Sequence, residues 1–175
     1  MLIRKYAFIF GLLLILCAPN AEVNAAENLD LDTVSGVYKD RFKNGDVAGN
    51  KFQSENILEI VKLSPDTTYF RTHLEFFNGH ICGLWGVAER KDNALIYKST
   101  AHSSCEFKIT FGKDKIALGD ENGQCRQDTC GTRGGYDHIT FDRDTGHAIR
   151  YMSTLRNSPQ FKDALKEYDA SHPKN

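Results

Sequence analysis

Strict alternation of apolar and polar side chains is the feature that most constrains the fold of this chain. In residues 67–77, TTYFRTHLEFF, every second side chain from Phe70 onward is apolar or small, and residues 105–111, CEFKITF, repeat the pattern from Cys105. A period of two residues places alternate side chains on opposite faces of a β-strand. Both segments are therefore predicted to be strands with one buried face, and Cys105 is predicted to point into the core.

Six further short segments have the composition of strands, and turn-forming residues such as Asn78-Gly79 separate them. They lie near Val37, Ile57, Ile81, Ala94, Lys115 and Tyr136. No helical pattern interrupts the series. The chain is therefore predicted to be all-β, an antiparallel meander that closes as a small barrel or folds as a sandwich.

The hydrophobic period changes only near the C-terminus. Ser158 is a good N-cap and Pro159 suits the first position of a helix. The apolar residues that follow at helical spacing are Phe161, Leu165 and Tyr168. One short amphipathic helix is therefore predicted over about residues 159–169. Before it, residues 149–152 are expected to form a strand that ends in a turn.

The first 25 residues have the features of a secretory signal peptide. Arg4 and Lys5 precede an apolar run of about 12 residues, and small residues lead to Ala25. The run is too short to cross a bilayer, and no later segment is apolar enough, so no membrane span is expected. Residues 1–25 are predicted to be removed, and residues 26–175 to form a single β-barrel domain that is periplasmic or secreted.

The charge of the chain argues against a nucleic-acid partner. Without Arg4, Lys5 and Glu22, its 22 basic and 23 acidic residues become 20 and 22, which leaves a net charge of −2. No block of like charge occurs along the sequence. A nucleic-acid-binding surface needs a basic stripe or patch, so no nucleic acid is expected as a partner.

Four cysteines follow the predicted signal peptide: Cys82, Cys105, Cys125 and Cys130. An even number of cysteines in an exported protein indicates disulfides, and four cysteines allow three pairings. The positions of the predicted strands favour a pairing of Cys82 with Cys105. Cys125 and Cys130 would then close a short loop disulfide.

A zinc site is the alternative use of these cysteines. His80, Cys82, His102 and Cys105 supply two imidazoles and two thiols, a set of ligands that tetrahedral zinc accepts. An oxidising compartment favours disulfides over thiolate ligands. We therefore expect disulfides and no metal.

No catalytic residue can be singled out, and no cofactor is expected. The sequence holds no G-x-S-x-G motif of a serine hydrolase. Among the carboxylates, Glu59, Glu75, Glu89 and Glu106 occupy alternating strand positions, where exposure to solvent explains them equally well.

One polar set has two interpretations. Arg71, His73 and Glu75 share the polar face of a single predicted strand. They line a polar pocket if that face turns inward, and they form a solvated face if it turns outward. The apolar side chains on the opposite face of the strand favour the solvated face.

The connection over residues 121–136 is the most constrained long loop, and it presents Arg126, Arg133 and Tyr136. Loops at the mouth of a barrel commonly carry function, and arginine and tyrosine are enriched at the centres of interfaces. These three residues are candidate contacts for a partner, and Trp85 is a fourth. The alternative for Arg133, which the sequence favours, is that its side chain caps backbone carbonyls at the barrel rim.

The order of these motifs resembles a known family. The residues that carry the resemblance are Ser35-Gly36-Val37-Tyr38, Asn78-Gly79-His80-Ile81-Cys82, Gly86-Val87-Ala88, Ala94-Leu95-Ile96-Tyr97, Cys105-Glu106-Phe107-Lys108-Ile109, Gly123-Gln124-Cys125 and Cys130-Gly131-Thr132-Arg133. Over roughly residues 34–141, the chain resembles a small β-barrel domain of exported proteobacterial proteins, which also occurs in lysozyme-inhibitor-like chains. The resemblance implies a lipocalin-like or avidin-like barrel without established catalytic residues.

These features predict a binding module of the bacterial envelope that is stapled by disulfides. Its partner is expected to be an unidentified protein or small ligand of the envelope, and inhibition of a cell-wall hydrolase is the more specific form of this prediction. The alternatives are a structural envelope protein without catalytic activity and, less favoured, a hydrolase or a zinc-binding protein.

Overall fold

The computed structural model describes residues 29–101 and 104–173. The predicted signal peptide, residues 1–25, lies outside this range. Within the range, no helix combines the length and the apolar character that crossing a membrane requires.

An antiparallel sheet of nine strands dominates the described residues. The strands are β1 (Gly36–Gly45), β2 (Lys51–Lys62), β3 (Thr67–Glu75), β4 (Ile81–Cys82), β5 (Trp85–Lys91), β6 (Ala94–Lys98), β7 (Glu106–Phe111), β8 (Lys115–Gly119) and β9 (Thr140–Asp142). The helices are α1 (Leu31–Val34), α2 (Gln124–Thr129), α3 (Met152–Asn157) and α4 (Pro159–Ser171), with 3₁₀ turns at Phe77–Gly79 and Arg143–Thr145.

The sheet is a nearly closed up-and-down barrel. Eight strands follow one another in the order β1-β2-β3-β5-β6-β7-β8-β9, and the short β4 pairs with β3. Beyond β9, His147 lies against β1, where its N–H and carbonyl exchange hydrogen bonds of 3.0 and 2.8 Å with those of Val37. The predicted all-β fold is confirmed, and of the two predicted forms the chain adopts the barrel.

Two predicted strand segments differ from the structure. Of the segment that begins at Tyr136, only Thr140–Asp142 is a strand, because His138 has a φ of 68° and interrupts extended backbone. Residues 149–152 do not form a strand. Ile149 instead lies in irregular backbone before α3, which begins at Met152, and Ile149, Met152 and Leu155 pack against the outside of the barrel.

Apolar side chains fill the inside of the barrel. The inner face of β3 carries Phe70 and Leu74, as its alternation predicts. Phe70 stacks on Phe107 with ring centroids 5.5 Å apart, and Phe107 meets the edge of Tyr136 at 4.9 Å. An interior filled in this way contributes stability as a packed core.

A second apolar core lies outside the barrel, under α3 and α4. It joins Val61, Tyr69 and Val87 on the sheet to Leu155 and Phe161 on the helices. The ring of Phe161 packs on that of Tyr69 at a centroid distance of 4.7 Å. The prediction of a C-terminal helix is therefore confirmed, and its apolar stripe covers the outer face of the sheet.

The N-terminus of α4 has the predicted cap, in which the hydroxyl of Ser158 accepts a hydrogen bond of 3.3 Å from the N–H of Phe161. The C-terminal half of α4 is held to the barrel by the carboxylate of Glu167. This carboxylate accepts hydrogen bonds from the N–H groups of Thr100 and Ala101 at 2.6 and 3.1 Å. It also accepts hydrogen bonds from the hydroxyls of Ser99 and Tyr97, at 3.0 Å each.

These donors determine the ionisation of Glu167. Burial favours the neutral acid and works to raise its pKa, but the hydrogen bonds favour the carboxylate and outweigh burial. The pKa of Glu167 therefore lies below its ordinary value, and the charged form holds α4 against the residues that follow β6.

The four cysteines of the described residues all form disulfides, but the predicted pairing is wrong. Cys82 bonds to Cys130, and Cys105 bonds to Cys125. The side chains of Cys125 and Cys130 point apart, because residues five apart on a helix are rotated by roughly 140° about its axis. α2 begins just before Cys125, and Cys130 is its C-cap.

Backbone pairing explains which cysteines meet. Residues 129–131 run antiparallel to β4, with the N–H of Gly131 bonded to the carbonyl of Ile81 at 3.1 Å and that of Gly83 bonded to Thr129 at 3.2 Å. This register places Cys130 opposite Cys82. Residues 121–136 are therefore clamped to the barrel by both disulfides, and not by a disulfide of their own.

Candidate functional site

The register of three strands brings a polar row together on the outer face of the barrel. Glu59 of β2 lies opposite Arg71 of β3, and Arg71 lies opposite Trp85 of β5. The neighbouring pair in the direction of β4 is Ile57 with His73. These residues alternate with the side chains that fill the barrel, so they all point outward.

The carboxylate of Glu59 is the buried centre of this row. The residue is 1% exposed although it lies on the outer face. Arg71 holds it with two hydrogen bonds, from Nε to Oε2 at 2.5 Å and from Nη2 to Oε1 at 2.9 Å. The hydroxyl of Tyr151 donates a third hydrogen bond, to Oε1. A buried carboxylate requires such partners, and here a cation and a neutral donor supply them.

The cover over Glu59 comes from the C-terminal part of the chain. Tyr151 precedes α3, and Gln160 lies in the first turn of α4. With the sheet they enclose a depression of about 300 Å³, which we call the outer cleft. Its lining consists of Ile57, Glu59, Arg71, Thr72, His73, Gly83, Trp85, Tyr151 and Gln160.

The charged groups of the outer cleft compensate one another. Burial works to lower the pKa of Arg71, but the hydrogen bonds and charge of Glu59 outweigh it and raise the pKa, so the guanidinium stays charged. Burial and the neighbouring carboxylate raise the pKa of Tyr151, which keeps its hydroxyl protonated as a donor. His73 lies 3.5 Å from Glu75, measured from Nε2 to Oε1. The cleft therefore offers hydrogen bonds and an aromatic wall, with its one buried carboxylate already bound.

The polar face of β3 is predicted either to turn inward and line a pocket or to turn outward into solvent, and neither interpretation is complete. Arg71, His73 and Glu75 point outward, as the favoured interpretation has it, and the side chain of His73 is 46% exposed. Arg71 and His73 nevertheless line a cleft, because the C-terminal helices cover part of the outer face. The sequence of β3 alone contains no sign of this cover.

The residues predicted for partner binding occupy three different environments. Arg126 and Arg133 are exposed on the segment that the disulfides clamp, and Trp85 lines the outer cleft. Tyr136 is fully buried, with its hydroxyl 2.5 Å from that of Thr129 and its pKa raised to about 12 by burial. The prediction that Tyr136 contacts a partner is therefore wrong, because its ring belongs to the barrel core.

The favoured interpretation of Arg133 as a cap is also wrong. Its side chain forms no hydrogen bond to a backbone carbonyl of residues 29–101 or 104–173. The neighbouring Gly134 explains part of this geometry, since a Cβ there would lie 2.4 Å from Sγ of Cys82. The backbone passes close over the disulfide, and the side chain of Arg133 remains exposed.

The alternative zinc site is overturned by the disulfides. Cys82 and Cys105 bond to different partners, so neither sulfur is a free thiolate. His102 lies outside the described residues. Across the part of the chain that is described, no group of three or more His, Cys, Asp and Glu side chains is placed to hold a metal ion.

Three residues of the outer cleft could not be identified as site residues from the sequence. Glu59 resembles any carboxylate on a solvated strand face, and Tyr151 and Gln160 join the site only through the docking of the helices. One signal was present in the sequence: the apolar stripe of α4 must cover part of the sheet, so some outward side chains had to become buried.

No protein-family model, curated protein or solved structure significantly matches the chain. The likeness to exported β-barrel domains therefore remains a prediction from the sequence motifs.

Proposed function

We propose that the chain is a binding module stapled by disulfides, and that the outer cleft binds a small polar ligand. The observation that carries the proposal is the buried carboxylate of Glu59, which fixes Arg71 on the strand beside the half-buried Trp85. Ligand sites commonly combine an aromatic wall with a few polar groups held in place by neighbours. Such preorganisation reduces the cost of ordering side chains when a ligand binds.

The architecture supports binding on the outer surface. The barrel interior is filled by its own aromatic side chains, whereas the outer cleft is open and holds about 300 Å³. The carboxylate of Glu59 is engaged by Arg71 and Tyr151, so it is not available as a free general base. These features favour binding over hydrolysis.

The compartment we propose is outside the cytoplasm, periplasmic or secreted. Two disulfides join distant parts of the barrel, and such bonds persist in oxidising compartments. The predicted signal peptide agrees with this proposal.

The test uses a variant that fills the outer cleft. A Cβ on Gly83 would meet only the carbonyl oxygen of Thr72, at 3.8 Å, and Gly83 lines the outer cleft, so Gly83→Leu is designed to extend a side chain into the cleft. Gly119 of β8 also has room for a Cβ, with Lys108 atoms at 3.9 and 4.0 Å, and it does not line the outer cleft, so Gly119→Leu is the matched control.

The two variants and the wild type are screened by ligand-observed NMR against a library of small polar compounds. We expect compounds that bind the wild type and Gly119→Leu and that fail to bind Gly83→Leu. Binding that survives in Gly83→Leu places the ligand elsewhere and contradicts the proposal.

A second candidate function is binding of a protein partner, with inhibition of a cell-wall hydrolase as its specific form. The observation that favours it is the exposure of Arg126 and Arg133 on a segment clamped through Cys125 and Cys130. A rigid segment loses little entropy on binding, and exposed arginines are frequent interface contacts.

A muramidase assay tests this second candidate. An inhibitor lowers the hydrolase rate stoichiometrically, and Arg133→Ala is expected to weaken the effect by roughly 1 to 3 kcal/mol, whereas Lys113→Ala, on the exposed β7–β8 turn, leaves it unchanged. An unchanged hydrolase rate at excess protein would exclude inhibition of that enzyme.

A further inference from the structure

We infer that the outer cleft takes a neutral saccharide, either free or as the terminal unit of a larger glycan. The inference rests on the proposed function and names the chemical class of the ligand. Three properties of the lining carry it: compensated charge, unused hydrogen-bonding groups of mixed character, and one flat aromatic wall.

The first property is compensated charge. Glu59 and Arg71 are the lining residues that carry full charges, and they bind each other through two hydrogen bonds. An anionic ligand at the remaining donors of Arg71 would place a second negative charge beside the buried carboxylate of Glu59, and a cationic ligand would place a second positive charge beside Arg71. Each ligand would either be repelled by the like charge or have to break the pair, and both outcomes cost free energy. A neutral ligand leaves the pair intact.

The second property is the set of groups that remain for hydrogen bonding. Nη1 of Arg71 forms no hydrogen bond with the described residues, and neither does the side-chain amide of Gln160. His73 adds a half-exposed imidazole. The guanidinium nitrogen donates, while an amide and an imidazole both donate and accept. Adjacent hydroxyl groups, each of which can donate and accept, match this mixture better than a purely apolar molecule does.

The third property is the aromatic wall. Trp85 is half-buried and lines the outer cleft near Ile57, so part of the indole remains open to a ligand. A pyranose ring presents a face of C–H groups and an edge of hydroxyl groups. The C–H face can pack on the indole, while the hydroxyl edge reaches the polar groups of the cleft. The volume of about 300 Å³ is near the lower limit of ligand pockets, which suits a monosaccharide or a disaccharide.

The test exploits the composition of the chain, because Trp85 is its single tryptophan. Intrinsic tryptophan fluorescence therefore reports on the outer cleft alone. The probes share one pyranose ring and differ in charge: N-acetylglucosamine is neutral, glucosamine is cationic and glucuronate is anionic. Glucose, galactose, mannose and the disaccharide of N-acetylglucosamine extend the neutral set and show whether a free sugar or a longer glycan binds better.

We expect a saturable fluorescence change with at least one neutral sugar, and affinity at least about tenfold weaker for the charged analogue of the same ring, a difference of about 1.4 kcal/mol. Gly83→Leu should abolish the change, and Gly119→Leu should keep it. Tighter binding of the disaccharide than of the monosaccharide identifies a glycan as the better ligand, and the reverse order identifies a free sugar.

Two negative results have different meanings. If glucosamine, glucuronate, amino acids or inorganic phosphate saturate the Trp85 signal while every neutral sugar fails, the saccharide inference is overturned and the proposed binding function stands. If none of these probes and no member of the polar library binds at the cleft, the saccharide inference and the proposed function are overturned together.

Discussion

The inside and the outside of this barrel bury their residues by different means. Inside, apolar side chains such as Phe70 and Phe107 pack without polar partners. Outside, two helices cover a sheet face that includes a buried carboxylate, and Arg71 and Tyr151 bind that carboxylate. The difference shows that a polar strand face need not be solvated. A segment distant in sequence can cover the face, and its charged side chains then become buried and paired.

The largest expected effect concerns the disulfides, which belong to the inside. Loss of the bond between Cys82 and Cys130, which are 48 residues apart, is expected to lower the free energy of unfolding by about 4 kcal/mol. Loss of the bond between Cys105 and Cys125, 20 residues apart, is expected to cost about 3 kcal/mol. The shorter loop costs less entropy to close in the unfolded chain.

Urea denaturation of the two double serine variants measures these losses under oxidising conditions. Non-reducing peptide mapping of the wild type should recover the Cys82–Cys130 and Cys105–Cys125 cross-links. Recovery of a Cys82–Cys105 peptide would show that the clamp on residues 121–136 is described incorrectly.

The second effect concerns the outside. Arg71→Ala removes the cation from the buried Glu59 and is expected to destabilise the protein by about 3 kcal/mol. Arg41→Ala is the matched control, because Arg41 also pairs with a glutamate on a neighbouring strand but its side chain is 76% exposed. That exposed pair is expected to contribute less than about 1 kcal/mol.

Chemical denaturation of both arginine variants checks the comparison. If both variants lose the same free energy of unfolding, Glu59 is as well solvated as Glu55, the partner of Arg41. The outer cleft would then have no buried charged centre.

A smaller effect is expected where α4 is fastened to the barrel. Glu167→Gln removes a charged acceptor from the hydrogen bonds of Thr100 and Ala101 and should cost about 1 kcal/mol at neutral pH. The folded pKa of Glu167 lies below its ordinary value of 4.5. Its contribution to stability is therefore complete above about pH 5 and is lost as the pH falls through the folded pKa.

Thermal unfolding of the wild type and Glu167→Gln between neutral and acidic pH tests whether the stabilising contribution of Glu167 falls with pH. The difference between the two proteins should shrink below about pH 4, whereas Glu121→Gln, at an exposed position, should track the wild type throughout. A difference that grows with acidity contradicts the assignment of a charged carboxylate at this contact.

The smallest effect is expected at Arg133. Its side chain is exposed and forms no hydrogen bond with a described residue, so Arg133→Ala should change the free energy of unfolding by less than about 0.5 kcal/mol. Calorimetry measures the change. A marked drop in melting temperature would restore the structural role that the sequence favoured for this residue.

The two regions also differ in how far the sequence predicts them. Alternation along β3 and β7 identified the inward residues correctly, because a strand with one apolar face has only one way to bury it. The cap at Ser158 likewise located the start of α4. Local patterns are sufficient where neighbours along the chain decide the structure.

Contacts between distant segments could not be predicted in the same way. The pairing of Cys82 with Cys130 depends on residues 129–131 docking beside β4, and the burial of Glu59 depends on Tyr151, 92 residues further along the chain. α3 is short, and its two apolar positions, Met152 and Leu155, become recognisable as a buried face only beside the sheet that they cover. Such features arise from tertiary packing, which overrides local preference.

The measurement that tests the account most directly is a two-dimensional ¹⁵N NMR titration of the wild-type protein with the tightest neutral sugar from the fluorescence panel. The account predicts saturable shifts of the indole N–H of Trp85 and the Nε–H of Arg71, with unchanged signals from the barrel interior. Shifts confined to the exposed segment that carries Arg126 and Arg133, or to residues inside the barrel, would contradict the claim that the outer cleft is the binding site.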